Sequence, residues 1–232
     1  TISLTSDLQD FFGPVGFYFG DNETEREVSL EVLFEGEESQ DNEQIDVGAE
    51  HHSWDRQKRA LRLNFRSTYG KREWDTTLLT KSALNGDTAA TKHRTLILRS
   101  GNHRTWARGN DPKGTTYTTD QFFRDTQIAA SGVGSHGIFT HLYINGAYWG
   151  VYNLVERPDN SFSAEYLGGD EDDWFYINHG DAGQDRDVDK TRWEYLMETL
   201  VNQDISIAAN YMEIQQYVDV KQFTDYIIVN FW

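Results

Sequence analysis

Apolar residues alternate with polar ones, or run uninterrupted, in "EVSLEVLFEG" (27–36), "ALRLNFR" (60–66), "RTLILRS" (94–100) and "IFTHLYI" (138–144), the patterns of half-buried and buried strands. In "ALRLNFR" the residues Leu61, Leu63 and Phe65 face one way, with Arg62, Asn64 and Arg66 facing the other. Asn145-Gly146 follows the fourth run, and because both residue types tolerate positive φ it predicts a two-residue hairpin turn. The second arm of that hairpin, "NGAYWGVYNLVERPDNSF" (145–162), is dense in aromatics and stops abruptly at Glu156, Arg157, Pro158 and Asp159.

The period changes between and after the strands. "TTDQFFRDTQIAASG" (118–132) predicts a helix with Thr118 or Thr119 as N-cap, Phe122, Phe123 and Ile128 toward the core, and Gly132 closing it. After residue 188 only helical spacing remains. Trp193, Leu196, Met197, Leu200 and Val201 form one face, preceded by a Thr191/Glu194 capping-box pattern. Ile207, Tyr211, Ile214 and Val218 mark a second helix, and Val220, Phe223, Ile227 and Phe231 a third. Segregated strands and helices predict an α+β fold. The expected divisions are a strand-rich lobe with one helix over 1–157, a connection over 158–187 containing the acidic stretch "GGDEDDW", and a helical lobe from 188 to 232. "GEESQDNEQ" (36–44) is expected to be a solvated loop.

Composition narrows the function classes. The 232 residues carry 38 Asp and Glu against 21 Lys and Arg, a formal charge of −17, which opposes unaided binding to nucleic acid. The absence of cysteine excludes disulfides, thiolate metal sites and cysteine nucleophiles. No apolar run approaches the ~20 residues of a membrane-spanning helix. The chain starts at Thr1 and stops inside the pattern of its third late helix, "DYIIVNFW", so it is expected to be a piece of a longer protein.

No GxxxxGK[ST], HExxH, GxSxG or strand-borne GxGxxG motif is present, and "GVGSHG" (132–137) follows a helix instead of a strand. The seven histidines show no metal-ligand spacing. Asp181, Asp185, Asp187 and Asp189 share the stretch "HGDAGQDRDVDKT", alternating at 185, 187 and 189, but Lys190 stands where a calcium loop beginning at Asp185 would need glycine, so a solvated acidic loop is favoured and no metal ligand is assigned.

"KRALRLNFRSTYGKREW" (58–74), "LILRSGN" (96–102), "TTDQFFRDTQ" (118–127), "HLYINGAYWGVYNLVERPD" (141–159) and "YVDVKQFTDYIIVNF" (217–231) follow one another in an order and spacing that resembles CotH-type proteins. That family takes its name from a bacterial spore-coat kinase and includes large secreted proteins. The resemblance extends from about residue 58 and is most specific in "NGAYWGVYNLVERPD". It implies an atypical protein-kinase-like fold, in which a strand-rich lobe and a helical lobe, incomplete at residue 232, clamp ATP with Mg or Mn and pass phosphate to a protein Ser or Thr. It also implies an extracellular or cell-surface location.

Such a fold needs a cation on the phosphates and an acid to hold it. Arg99, at the end of the apolar strand "TLIL", is the candidate cation, and Asp120, failing it Gln121, the candidate partner. A solvated arginine at a strand end is the equally open alternative. Family members often have arginine immediately before this aspartate; Thr119 stands there instead. Glu156, Arg157 and Pro158 are candidates for the hinge whose backbone meets the adenine edge, with Gly150 allowing close approach of a ring or backbone. The structural alternative is that Glu156 pairs with Arg157 or a neighbouring loop. The resemblance places the metal-binding acids and the base beyond Trp232, so the 232 residues are expected not to be catalytic by themselves, and the last helix is expected to expose Phe223, Ile227 and Phe231 for self-association.

Two other classes stay open. One is a non-catalytic CotH-like domain of a secreted or surface protein that binds another protein or carbohydrate. The other, a hydrolase, would use Glu156 and Asp159, which lie close together along an extended exit.

Overall fold

The structure is a computed structural model, and it describes residues 1–19, 24–34, 36, 42–52, 58–101, 116–178, 181–182 and 191–231. The chain divides into two compact units, one formed by Thr1–Asp125 with Ser135–Arg157 and the other by Thr126–Gly134 with Pro158–Trp232.

The first unit is built on strands β1 (Ile2–Thr5), β2 (Arg26–Val32), β3 (Glu43–His51), β4 (Leu61–Asn64), β7 (Thr95–Arg99), β8 (Gly137–Ile144) and β9 (Ala147–Glu156). They pair in the order β1-β2-β3-β4-β7-β9-β8, and a parallel β8–β1 contact closes the sheet into a barrel. A short ribbon of β5 (Trp74–Asp75) with β6 (Lys92–His93) and the helix α1 (Leu8–Phe12) complete the early part. Strand structure therefore begins at residue 2 and not at 27.

The predicted inward positions hold. Leu61 and Leu63 are fully buried and Phe65 nearly so, joined in the barrel core by Leu4, Leu30, Leu96, Leu98, Leu142 and Leu154. Removing each such side chain from water contributes about 1.5–3 kcal/mol. Asn64, expected to face out, is also buried, and its amide donates to Glu25 Oε2 and Glu50 Oε1, each at 2.7 Å. Glu43 and Gln44 open β3 instead of ending an acidic loop: Ile45, Val47 and Ala49 alternate inward, a period the flanking charges obscure. The β8–β9 turn is as expected, with φ of 48° at Asn145 and 79° at Gly146.

Helix α2 (Thr119–Ser131) ends at Gly132, whose N–H donates to the Ile128 carbonyl. Ile128 is buried as expected, but Phe122 and Phe123 are exposed, at 63% and 38%. The covered stripe is Gln121, Arg124 and Ile128, at spacings of three and four, so part of this helix packs through polar groups.

In the second unit, the stretch expected to be a connection contains helix α3 (Asn160–Leu167). Asp159 is its N-cap, accepting from the Phe162 N–H at 3.1 Å. A small ribbon, β10 (Ile177–Asn178) with β11 (Asp181–Ala182), follows; Asp185, Asp187 and Asp189 lie outside the described residues. Helix α4 (Thr191–Glu194) runs into a π turn over Tyr195–Thr199 and a 3₁₀ turn over Leu200–Asn202. The wider turn rotates the predicted face, so Trp193 and Leu196 are half-buried and Leu200 fully buried, while Met197 and Val201 are exposed. Helices α5 (Ala208–Ile214) and α6 (Val220–Phe231) come last, and α6 exposes Phe223, Ile227 and Phe231.

Candidate anion-binding site

Arg99 of β7 pairs in register with Asn153 of β9, and Asn153 with Phe139 of β8. Directly paired residues project from the same face of a sheet, so these three side chains form one row. It is the face opposite Leu98 and Leu154, which point into the core. The first turns of α2 lie against this row and contribute Asp120, Gln121 and Arg124.

Arg99 donates from Nη2 to Asp120 Oδ2 at 2.6 Å, the pairing expected from the sequence. Arg124, one turn along the helix, brings its Nη1 to 3.9 Å from the same oxygen. Arg124 also donates to the Asn153 side-chain oxygen and, at 3.1 Å, to Gln121 Oε1; Gln121 Oε1 in turn accepts from Asn153 Nδ2 at 2.9 Å. Two guanidinium groups thus share one carboxylate. Asp125 accepts the Gln121 amide at 2.9 Å.

Burial, with the nearby Arg99 charge, brings Arg124 down to about 10, so it is still cationic at neutral pH. Its Nε is buried and has no hydrogen-bond partner among the described residues. Arg99 and Asp120 are half-exposed and open onto a cleft lined by Gly101, Tyr117, Phe139 and Asn153. Its empty space of about 290 Å³ includes open solvent, so it is a shallow corner at the surface and not an enclosed pocket. His52 reports the same positive field: burial first, then the charges of Arg157 and Arg99, lower it to about 4.

Glu156 lies elsewhere. Its side chain is buried, with Oε2 accepting from the His136 backbone N–H at 2.8 Å and standing 3.0 Å from His136 Nδ1. Oε1 is 3.7 Å from His93 Nδ1, and His136 Nε2 is 2.9 Å from Thr88 Oγ1. The Glu156 N–H donates to the His136 carbonyl at 3.0 Å. This amide is therefore committed to a backbone partner within the barrel. The carboxylate clasps two histidines, so the strand ends on a buried charge because that charge has buried partners. Arg157 is half-buried and acts electrostatically on His52.

Sequence reasoning singled out Arg99 and Asp120, which the structure brings into contact, and did not point to Arg124 or Asn153 beside them. Asn153, with an apolar neighbour on either side in "YNLV", was the available signal, a polar side chain on a strand face that reads as covered. Among the described residues, no three His, Asp or Glu side chains gather as a metal cage. Asp181 falls in β11, and nothing is assigned to its side chain.

The fold and this cluster define an α+β protein whose barrel carries two guanidinium groups on one carboxylate under a helix. Residues 121–232 match the family model described as CotH kinase protein, in agreement with the resemblance carried by the sequence motifs. The match contains Arg124, Asn153, Glu156 and Arg157, and begins just after Asp120; between residues 58 and 120 the resemblance rests on the motifs alone. No curated protein matches the chain. No described helix is long and apolar enough to cross a membrane.

Proposed function

We propose that the chain carries the nucleotide-phosphate site of a CotH-type protein kinase, which passes the terminal phosphoryl group of ATP to a Ser or Thr hydroxyl of a surface or coat protein outside the cell. The observation that carries this is the pair Arg99 and Arg124 on the single carboxylate Asp120, with Arg124 Nε left without a partner among the described residues. Asp120 touches both cations, Asp125 attracts Arg124 more weakly, and the half-exposed Arg99 opens onto the cleft. A phosphate oxygen there meets a guanidinium fork that matches it geometrically. Asp120 aims Arg99, and Gln121 with Asn153 fixes Arg124, so the cations need no reorganisation when the anion arrives.

A bound Mg or Mn ion would neutralise charge between the last two phosphates. The described residues do not fit that ion, since they form no carboxylate cage for it. We place its ligands and the base for the acceptor hydroxyl outside the described residues. The alternative, a non-catalytic domain that binds a protein or carbohydrate, draws support from the exposed edge-to-face pair Phe122 and Phe123, with ring centres 5.7 Å apart.

The test compares the 232-residue chain with a C-terminally extended form, using labelled ATP, magnesium or manganese and a Ser-rich acceptor protein. Label transfer by the longer chain alone is expected. Equal transfer by both would place the catalytic groups within residues 1–232, and transfer by neither would favour the binding-domain alternative.

A further inference from the structure

Lys58 lies just ahead of β4, and its ammonium has an unusual set of neighbours. Nζ donates to the Val151 carbonyl at 2.6 Å and stands 4.5 Å from the Tyr152 ring centre and 5.0 Å from that of Tyr117. Among the described residues it has no carboxylate partner, although the chain as a whole carries a charge of −17. Gly150, at φ 117°, lies beside the lysine stem, a Cβ there sitting in ordinary contact 4.0 Å from Lys58 Cε. Tyr117 belongs to two places at once. It lines the cleft with Arg99 and Asp120, and its ring lies beneath the Lys58 ammonium.

We propose that Lys58 is the third cation of one elongated anion site, set apart from the two guanidinium groups, so that the site takes linked phosphates, as in a diphosphate or triphosphate, in preference to a single phosphate. Arg99 and Arg124 hold one phosphate group, and Lys58, on the far side of Tyr117, holds the next. This rests on the phosphate assignment of the Arg99 cleft. The chemistry suits the division: forked guanidiniums orient one phosphate, while an ammonium is a compact charge on a flexible stem that can leave a carbonyl for an anion. Only one of its three donors is used by Val151. Burial lowers Lys58 to about 8, which marks a charge held without full compensation. A purely structural lysine, stacked on two tyrosines, would stabilise the fold by cation–π attraction and be indifferent to phosphate chain length.

Calorimetric titrations of the full 232-residue chain, its Lys58→Met variant and its Arg99→Met variant with orthophosphate, pyrophosphate and tripolyphosphate separate these cases. Methionine keeps the apolar stem over the rings. The wild-type chain is expected to bind tripolyphosphate more tightly than orthophosphate. Lys58→Met is expected to lose roughly tenfold or more for tripolyphosphate, the scale of one charged hydrogen bond, and to leave orthophosphate within about twofold. Arg99→Met should weaken all three ligands.

If Lys58→Met leaves tripolyphosphate unchanged while Arg99→Met weakens it, the extension to Lys58 is wrong and the Arg99 cleft stands. If Arg99→Met changes nothing, the phosphate assignment falls and the proposal with it. Should Lys58→Met not fold, acylation of wild-type Lys58 by an amine-reactive ester, followed by mass spectrometry, decides instead. Tripolyphosphate is expected to slow that reaction several-fold and orthophosphate to leave it unchanged; equal rates with and without tripolyphosphate overturn the proposal.

Discussion

Glu156 holds His93 and His136 inside the first unit, and this arrangement has a pH signature. His93 titrates below the ordinary histidine value because burial outweighs the attraction of the Glu156 carboxylate. The unfolded chain, with histidine near about 6.5, binds a proton that the folded chain refuses. Folding stability contributed by neutral His93 is therefore present above that value and is lost as pH falls toward the lowered folded one. Urea midpoints measured from pH 7.5 down to pH 5 should decline more steeply for the wild type than for His93→Gln; parallel declines would remove His93 as the cause. At this scale the Arg99–Asp120 pair was legible, because a strand end followed by the first turn of a helix brings long side chains within reach. Arg124 was not. Its burial depends on which side of α2 meets β9, and the pair Phe122 and Phe123 pointed to the wrong side.

Among the elements, the β8–β9 hairpin was legible because its turn chemistry is local: Asn145 and Gly146 adopt positive φ whatever surrounds them. Helix α3 was hidden for a related reason. Asp159 is a good N-cap, but "NSFSAEYL" has a weak apolar face and lies beside acidic residues, so the pattern read as a connection. The π turn at Tyr195–Thr199 could not be read from spacing, which assumes a constant number of residues per turn. Helix α6 presents Phe223, Ile227 and Phe231 to solvent, an apolar face of the kind that drives association. Sedimentation equilibrium should show concentration-dependent self-association of the wild-type chain, abolished by Ile227→Glu with Phe231→Glu. A wild-type chain that remains monomeric at the highest soluble concentration would show that this face does not pair two copies.

For the whole molecule, alternation identified strands but carried no information on closure, since the parallel contact of β1 with β8 joins residues about as far apart as the barrel spans. β1 is short, and its two apolar residues, Ile2 and Leu4, did not stand out from a chain terminus. Closure matters for the site, because it fixes β7, β9 and β8 side by side and so sets Arg99, Asn153 and Phe139 in one row. A chain with a charge of −17 repels phosphate at long range, and binding there must come from cations placed at contact distance. The most direct measurement is therefore an ATP titration of the 232-residue chain at physiological ionic strength, followed by phosphorus NMR and calorimetry, beside the same titration of Arg99→Met. Saturable ATP binding that weakens roughly tenfold or more in Arg99→Met, the loss expected for a charge-assisted contact, is the predicted result. Binding of equal strength in both proteins, or no binding by the wild-type chain, would contradict the assignment of the Arg99–Asp120–Arg124 cleft as the phosphate site.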